Sequence, residues 1–232
     1  MPDTTLILLA GLLNDERLWA HQRAGLAELA DVRVADLTQD DSLAGMAERV
    51  LANAPTTFAL AGLSMGGYVA MEIMRRAPER VERLALLDTT ARPDAPEQTQ
   101  RRKDAVAIAE SGGFERIMPG MLPLLVHPDH LALERVGGLA KDMASAVGKD
   151  AFVRQQTAIM RRPDSRPALN RIACPTLVLV GRDDNPTPLD RAEEMADLIP
   201  AARLVVVEQC GHLSAIEQPH AVTAVMRYWL QD

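Results

Sequence analysis

Cysteine and aromatic residues are scarce in this chain. Its 232 residues include two cysteines, Cys174 and Cys210, which are too few for a disulfide framework or for a zinc-ligand cluster. Phenylalanine, tryptophan and tyrosine together make up 3% of the residues, so we expect any pocket to be aliphatic and rich in methionine. The composition therefore argues against a small disulfide-stapled protein and predicts no metal site.

Positive charge and long apolar runs are also lacking. The net charge is −7, which argues against nucleic acid as a partner because proteins that bind it present basic surfaces. The first residues lack the positive charge that opens a signal peptide, and the apolar run "LILLAGLL" is too short to cross a bilayer. With 47% hydrophobic residues, the chain can bury a substantial core. We expect a soluble cytoplasmic protein with no membrane partner; the sequence leaves its oligomeric state open.

Six short apolar runs alternate with amphipathic segments along the chain. The runs predict strands at Leu6–Ala10, Val32–Ala35, Thr57–Ala61, Leu84–Leu87, Thr176–Val180 and Leu204–Val207. The amphipathic segments predict helices at Glu16–Leu29, Leu43–Asn53, Met65–Arg76, Leu189–Leu198 and Ala215–Leu230. Continuously apolar strands are typical of a parallel sheet buried on both faces. The sequence therefore predicts an α/β fold with a mostly parallel sheet of about six strands and helices on both faces.

The interval 92–171 contains no convincing strand. Its pattern predicts helices at Glu97–Ser111, Asp129–Val147 and Asp150–Arg161. We predict a core formed by 1–91 and 172–232, with 92–171 inserted as a helical lid over the carboxyl edge of the sheet. A packed helical subdomain with no gating role would have the same pattern.

A serine stands where the third predicted strand passes into a helix. The pentapeptide Gly62-Leu63-Ser64-Met65-Gly66 matches the G-x-S-x-G pattern, in which a sharp turn raises a nucleophilic serine above the sheet. The adjoining helix N-terminus favours an anion at this point, and the backbone N–H of Met65 would donate to it. The alternatives are Ser64 as an ordinary helix N-cap and a phosphate-binding loop, although no Lys-Ser/Thr pair follows.

A serine hydroxyl needs a base, and the base needs an acid to orient it. His212 follows the last predicted strand, and Asp183 and Asp184 follow the strand before it, so all three lie at the same sheet edge as Ser64. The chain order Ser, Asp, His is the order expected for a triad on such a sheet. The other histidines are better explained as surface, capping or pocket residues: His21, His127, His130 and His220.

Further groups are candidates for the site around Ser64. The loop after the first strand offers the backbone N–H of Leu12, next to Gly11, as a second oxyanion donor. Possible pocket residues, which could equally fill the core, are Trp19, Met118, Met121 and Met160. Arginines that could bind a substrate carboxylate, although a solvated helix face is the favoured explanation, are Arg101, Arg102, Arg161 and Arg162.

Three segments together resemble the α/β-hydrolase family, over nearly the whole chain. "GLSMGGYVAMEIMRRAPERVERLALLDT" is similar to its nucleophile elbow, "LVLVGRDDNPTP" to its acid loop and "CGHLSAIEQP" to its histidine loop. The family pattern Gly-x-x-Asp implies Asp184 rather than Asp183 as the acid. The resemblance also implies catalysis with no metal or organic cofactor. Among members, the chain looks most like small carboxylesterases, 3-oxoadipate-type enol-lactonases and C–C bond hydrolases.

The chain departs from the family pattern at three places. Ala10 stands where many members carry histidine, and Asp36 lacks its usual glycine-rich surroundings. The first predicted parallel strand comes almost at the start of the chain, so we expect the family's N-terminal antiparallel hairpin to be missing. None of these departures removes a predicted catalytic group.

The sequence predicts a serine hydrolase that cleaves a small carboxylic ester, lactone or thioester. Its triad would be Ser64, Asp184 and His212, with Leu12 and Met65 as oxyanion donors, and its partner a small ester-type substrate. Two alternatives stay open. One is C–C bond hydrolysis or a lyase reaction on the same triad, and the other is a ligand-binding protein that performs no turnover.

Overall fold

A computed structural model describes residues 4–200 and 202–232. Six strands form one sheet in the order β2-β1-β3-β4-β5-β6, and every neighbouring pair is parallel. The strands are β1 Thr5–Leu9, β2 Asp31–Ala35, β3 Phe58–Leu63, β4 Val81–Leu87, β5 Thr176–Gly181 and β6 Ala202–Val207. Each of the six overlaps a predicted strand, so the predicted α/β class is confirmed.

Helices connect the strands and cover the sheet. Those outside the long connection between β4 and β5 are α1 Ala20–Leu26, α2 Leu43–Asn53, α3 Met65–Arg76, α8 Leu189–Leu198, α9 Ser214–Glu217 and α10 Pro219–Gln231. Those within it are α4 Pro96–Ile108, α5 Ile117–Leu125, α6 Leu139–Met160 and α7 Arg166–Leu169. Among the residues described, no helix is both long and apolar enough to cross a membrane.

The hydrophobic core lies on both faces of the sheet because successive side chains of a strand point in opposite directions. Leu8 and Ala61 pack into the cluster on one face, and Ile7 and Leu60 pack into the cluster on the other. Every residue of the inner strands β3 and β5 is buried. The edge strands differ: β2 is half exposed, so the prediction that all strands are buried on both faces is wrong for the edges.

Some predicted helix bounds are wrong for identifiable reasons. The first helix opens as a 3₁₀ turn, Glu16–Trp19, before α1 begins. The last predicted helix divides into α9 and α10, because Pro219 starts α10 and lacks the N–H that would continue the preceding turn. The helix predicted from Asp129 begins instead at Leu139.

Two further details concern the β4–β5 connection. Helix α6 is broken at Gly148, whose φ of 80° favours glycine, and this break separates the two helices that the sequence predicted there. Helix α5 was not predicted, and it contains two prolines: Pro119 stands in its first turn, where a missing N–H costs nothing, and Pro123 lies inside the helix.

The β4–β5 connection packs directly on the rest of the chain. Phe152 of α6 and Leu122 of α5 belong to the same hydrophobic cluster as Leu8 of β1. Ile159 joins the cluster on the opposite face. A lid of residues 92–171, distinct from the core of 1–91 and 172–232, stays a prediction.

Candidate active site

Ser64 stands at the junction of β3 and α3 in a conformation that few residues adopt. Its φ is 54° and its ψ is −116°, a strained combination that costs on the order of 1–3 kcal/mol. The neighbouring strand holds this turn in place. The backbone N–H of Ser64 donates to the carbonyl of Leu87 at 3.0 Å, and Thr89 Oγ1 donates to the Ser64 carbonyl at 2.8 Å. The turn lifts the hydroxyl to the carboxyl edge of the sheet.

Gly62 and Gly66 are required by the close approach of backbone at this turn. A Cβ atom on Gly62 would collide with the carbonyl of Gly66, and one on Gly66 would collide with the carbonyl of Leu9. Both obstacles are main-chain atoms, which cannot move aside as a flexible side chain could. The G-x-S-x-G spacing therefore has a steric cause in this structure.

His212 lies beside Ser64, 148 residues away in the chain. Its Nε2 atom is 2.8 Å from Ser64 Oγ, and its backbone N–H donates to the carbonyl of Leu125 at 2.7 Å. The buried carboxylate of Glu217 accepts from the N–H groups of Gly211 and Leu213, on either side of the histidine, each at 3.1 Å. These bonds fix the loop that carries the imidazole.

Asp184, and not Asp183, faces the imidazole. The two carboxylate oxygens of Asp184 lie 2.8 and 3.0 Å from His212 Nδ1, and they also accept from the backbone N–H and hydroxyl of Thr187. Asp183 turns outward: its side chain is 44% exposed, and its carboxylate lies 3.7 Å from His127 Nε2. Adjacent residues of a tight loop point different ways, so one of the pair is available to the ring.

The surroundings of His212 raise its pKa. Burial alone would lower the pKa, because it disfavours the charged imidazolium. The negative charge and hydrogen bond of Asp184 outweigh burial, and the charges of Asp88 and Glu217 act in the same direction. The imidazolium that would form after proton transfer is therefore stabilised, as a general base in this position requires.

Asp88, which the sequence analysis missed, links the loops that carry the acid and the histidine. It directly follows β4, it is fully buried, and its carboxylate accepts from the N–H of Gly181 at 3.0 Å and of Ser214 at 3.2 Å. Burial, together with the charge of Asp184, raises the pKa of Asp88 well above its usual value. The sequence offered one signal for this residue, namely an aspartate directly after the predicted strand Leu84–Leu87.

Met65 directly follows Ser64, and Leu12 lines the same cavity as Ser64, while the role of their backbone N–H groups as oxyanion donors stays a prediction. Within the described part of the chain, neither donates in a turn or loop hydrogen bond. Leu13 has a φ of 59°, and its own N–H donates to Gln155 Oε1 of α6 at 3.1 Å. Gln155 also donates to the carbonyl of Leu37, at 3.3 Å. Gln155 therefore holds the loop that carries the Leu12 N–H, a role that no sequence signal indicated.

A cavity of about 470 Å³ opens above Ser64 and His212. Its wall includes Leu12 and Met121, which the sequence analysis proposed, and Asn14, which it missed. The side chain of Asn14 is buried, and its Nδ2 atom has no partner among the described residues.

Three predicted pocket residues do not line this cavity. Trp19 is fully buried and packs in the hydrophobic core. Met118 lines a separate recess beside Phe114. Met160 follows Ile159, which does line the cavity, and the helical turn of about 100° per residue directs Met160 away.

Possible metal ligands, the buried cysteine and the remaining histidines take no part in the contacts among Ser64, His212 and Asp184. Within residues 4–200 and 202–232, no cluster of three or more His, Cys, Asp or Glu side chains could hold a metal ion. Cys210 is fully buried, and burial raises the pKa of its thiol, which makes it unreactive. The His127 and His130 rings lie together near Glu217, and His21 contacts Thr223 and His220.

Known proteins share both the sequence pattern and the fold. The alpha/beta hydrolase family model matches residues 4–225. A pimeloyl-[acyl-carrier protein] methyl ester esterase of Nitrosomonas europaea is 28% identical over 185 residues, which cover 77% of this chain and 73% of that protein.

Two solved structures resemble the whole chain. A thermophilic esterase from Thermogutta terrifontis superposes with a TM-score of 0.91 and 30% identity, covering 99% of this chain and 90% of the other. An enol-lactonase from Burkholderia xenovorans LB400 superposes with a TM-score of 0.89 and 26% identity, covering 99% and 92%. With a family match over 4–225 and these superpositions, the chain belongs to the alpha/beta hydrolase family, as its three motifs predicted.

Proposed function

We propose that this protein is a serine hydrolase that cleaves a small carboxylic ester, lactone or thioester through an acyl-enzyme. Ser64 is the nucleophile, His212 the general base and acid, and Asp184 the group that orients the imidazole. The observation that carries the proposal is the 2.8 Å distance between Ser64 Oγ and His212 Nε2, with Asp184 2.8 Å from the other ring nitrogen. When a hydroxyl contacts an imidazole and that imidazole contacts a carboxylate, the imidazole can accept the proton of the hydroxyl as it attacks.

Acylation begins when Ser64 Oγ attacks the substrate carbonyl carbon and its proton passes to His212 Nε2. The carbonyl oxygen becomes an oxyanion, which the N–H groups of Leu12 and Met65 stabilise together with the N-terminus of α3. The tetrahedral intermediate then re-forms the carbonyl and breaks the bond to the leaving alkoxide or thiolate. That group takes the proton from His212 and departs as an alcohol or thiol.

Deacylation repeats these steps with water. His212 Nε2 takes a proton from a water molecule, whose oxygen attacks the acyl carbon attached to Ser64. Collapse of the second tetrahedral intermediate breaks the bond to Ser64 Oγ, which recovers its proton from His212. The carboxylic acid leaves, and neither step needs a metal or an organic cofactor.

The relatives support an ester-type substrate. By their names, the esterases cleave ester bonds, one of them in a methyl ester, and the enol-lactonase cleaves a cyclic ester. The cavity of about 470 Å³ lies within the range of small-molecule sites. These observations favour hydrolysis of a small ester over the C–C bond cleavage that the same triad could also perform.

A fluorophosphonate probe tests the nucleophile. We expect one probe per chain on the wild type and none on Ser64→Ala, because the probe needs an activated serine. Ser145→Ala is the matched control, since Ser145 is an exposed serine in the middle of α6, and it should label like the wild type. If folded wild-type protein takes up no probe, or if Ser64→Ala still takes it up, the proposal is wrong.

Substrate comparison separates the chemical alternatives. We expect short p-nitrophenyl esters and lactones to be hydrolysed, and vinylogous diketones to be cleaved slowly or not at all. Faster cleavage of the diketones than of the esters would instead assign C–C bond hydrolysis to the triad. A protein that labels at Ser64 and turns over none of these substrates would contradict ester hydrolysis.

A further inference from the structure

The cavity above Ser64 has an uneven charge. Three arginines line it, Arg101, Arg102 and Arg162, and no aspartate or glutamate does among the residues that the structure describes. The whole chain carries a net charge of −7, so this concentration of positive charge is opposite in sign to the protein. Arg161, the fourth arginine singled out in the sequence, is 67% exposed and lies 3.6 Å from Asp41, outside the cavity.

One buried carboxylate serves two of these arginines. The side chain of Asp94 is 1% exposed; it accepts from Arg102 Nε at 2.8 Å and from Arg162 Nη1 at 2.5 Å. In the described part of the chain, Arg101 has no carboxylate oxygen within 4 Å, and its Nε donates to the carbonyl of Glu97. The three arginines carry three positive charges and Asp94 carries one negative charge, so this wall of the cavity has two positive charges in excess.

The two paired arginines have different surroundings. Arg162 is almost fully buried; it donates to the carbonyls of Arg92 and Ile159, and its guanidinium lies 4.5 Å from the centre of the Tyr68 ring. Most of its hydrogen-bonding capacity is used within the protein. The side chain of Arg102 is 23% exposed and leaves Nη2 without a partner among the described residues.

A buried amide stands beside Arg102. Gln156 is 2% exposed and lines the cavity, and its Oε1 accepts from Arg102 Nη1 at 2.9 Å. Because an arginine nitrogen can only donate, the atom facing it must be the amide oxygen, and Nε2 is the other atom. This Nε2 has no hydrogen-bond partner within residues 4–200 and 202–232. Because Gln156 lines the cavity, this donor can bind an acceptor group of a ligand there.

This polar wall belongs to the same cavity as the nucleophile. Tyr68 lies one helical turn beyond Ser64 on α3, and it lines the cavity together with Arg162, which lies over its ring. Arg102 is connected to Arg162 through Asp94. A substrate whose carbonyl reaches Ser64 can therefore extend along Tyr68 toward Arg102.

We propose that Arg102, with the amide of Gln156 and with Arg101 at the rim, binds a carboxylate carried by the substrate at some distance from the scissile carbonyl. The substrate class is then an anionic ester or lactone, such as the monoester of a short dicarboxylic acid. A guanidinium and an amide donor together match the two oxygens of a carboxylate. The identification of the substrate as an ester rests on the function proposed above, whereas the anion site can be tested without turnover.

Three methyl esters of similar length, whose far end groups differ in charge, test this substrate class. Monomethyl adipate is anionic, its monoamide is neutral and of the same shape, and methyl 6-aminohexanoate is cationic. We expect kcat/KM to fall by about tenfold or more from the anion to the amide, and further to the cation, since a charge-assisted hydrogen bond to arginine is lost and then replaced by repulsion. The preference for the anion should decrease at high salt.

Arginine variants test the site itself. Arg102→Gln leaves Asp94 paired with Arg162, and it should lower kcat/KM for monomethyl adipate by a much larger factor than for the monoamide, so that most of the preference for the anion is lost. Arg161→Gln is the matched control, which removes the same charge outside the cavity and should retain the wild-type preference. Equal rates on the three esters in the wild type, or the same loss on all of them in Arg102→Gln, would contradict the proposal.

Calorimetry on Ser64→Ala separates failure of this inference from failure of the proposed function. This variant should bind monomethyl adipate about tenfold more tightly than the monoamide, and addition of Arg102→Gln should abolish the difference. If no ester is hydrolysed by the wild type but this difference is observed, the anion site stands and the hydrolase proposal is wrong. If esters are hydrolysed and no difference in affinity is measured, the hydrolase stands and the anion site is wrong. If Arg102→Gln does not fold, the comparison of the three esters on the wild type decides.

Discussion

Gln155 Oε1 accepts a hydrogen bond from the backbone N–H of Leu13 at 3.1 Å, although 142 residues separate the two in the chain. Leu13 has a positive φ, and it directly follows Leu12, which lines the same cavity as Ser64. Gln155 belongs to α6, within the connection between β4 and β5. This connection therefore supports the loop that carries Leu12, and it also contributes residues to the wall of the cavity.

Substitution of Gln155 by leucine should impair catalysis through this loop. The N–H of Leu13 and the carbonyl of Leu37 would both lose their partner, which costs about 1–3 kcal/mol for each buried group. We expect kcat to fall by about tenfold or more with a smaller change in KM, because the Leu12 N–H acts mainly in the transition state. Steady-state kinetics and thermal unfolding measure the two effects.

Gln100→Leu is the matched control for Gln155→Leu. Gln100 is an exposed residue of helix α4 that contacts Asp104, outside the cavity. Its substitution should change the free energy of unfolding by less than about 0.5 kcal/mol and leave kcat unchanged. Normal kcat in a folded Gln155→Leu protein would contradict the role given to Gln155.

Asp184 and Asp183 should differ sharply when each is replaced by asparagine. Asp184→Asn loses the charge that faces His212 and permits the wrong imidazole tautomer, so we expect kcat to fall by on the order of 10³–10⁴-fold. Asp183→Asn changes an outward-facing carboxylate and should alter kcat by less than about threefold. Each variant is the other's control, because the chemical change is the same in adjacent residues. A larger loss at Asp183 would overturn the assignment of the acid.

The pH dependence of hydrolysis should reflect the raised pKa of His212. Protonated His212 cannot accept the Ser64 proton, so activity is lost as the pH falls through the pKa of the imidazole. We expect the acid limb of kcat/KM in the wild type to lie above pH 6.5, the ordinary value for histidine. In Asp184→Asn the carboxylate charge that raises the pKa of His212 is gone, while burial still lowers that pKa. The residual activity should therefore persist to lower pH. An acid limb that stays in place or moves upward would contradict this assignment of the shift.

Gly62 should not tolerate even a methyl group. In Gly62→Ala the new Cβ collides with the backbone carbonyl of Gly66, so we expect a loss of about 3 kcal/mol or more, or failure to fold. Gly120→Ala is the control, because Gly120 is exposed in helix α5 and a Cβ there meets no atom within 4 Å. That variant should gain up to about 1 kcal/mol from helix propensity. Thermal unfolding compares the two, and equal stability would contradict the steric account of the motif.

The sheet and the candidate triad could be predicted because they depend on local pattern and on one topological rule. Apolar runs of strand length identify β1 to β6, and the carboxyl ends of parallel strands meet at one edge. Ser64, Asp184 and His212 each directly follow a strand, or lie within a short loop after it, so their proximity follows from their positions in the sequence.

Residues that act from the β4–β5 connection were less predictable. A helical pattern gives the face that a residue occupies, but it does not give the rotation or tilt of that helix over the sheet. Ile159 faces the cavity and Met160 does not, and Gln155 reaches the oxyanion loop while Gln156 lines the cavity. The sequence left Trp19 open between the wall of the pocket and the core, and in the structure it packs into the core.

The sequence by itself determined the parallel sheet, the strained serine turn and the three loops that carry hydroxyl, carboxylate and imidazole. These features arise from local sterics and from strand order, which short segments encode. The spacing along the chain left Asp183 and Asp184 open, and the resemblance to the family favoured Asp184, which the tertiary structure places against His212. Only the tertiary structure brought Arg102, Asp94 and Gln156 together as one polar wall. Such contacts depend on side-chain directions and on packing between segments distant in the chain, and no local pattern contains that information.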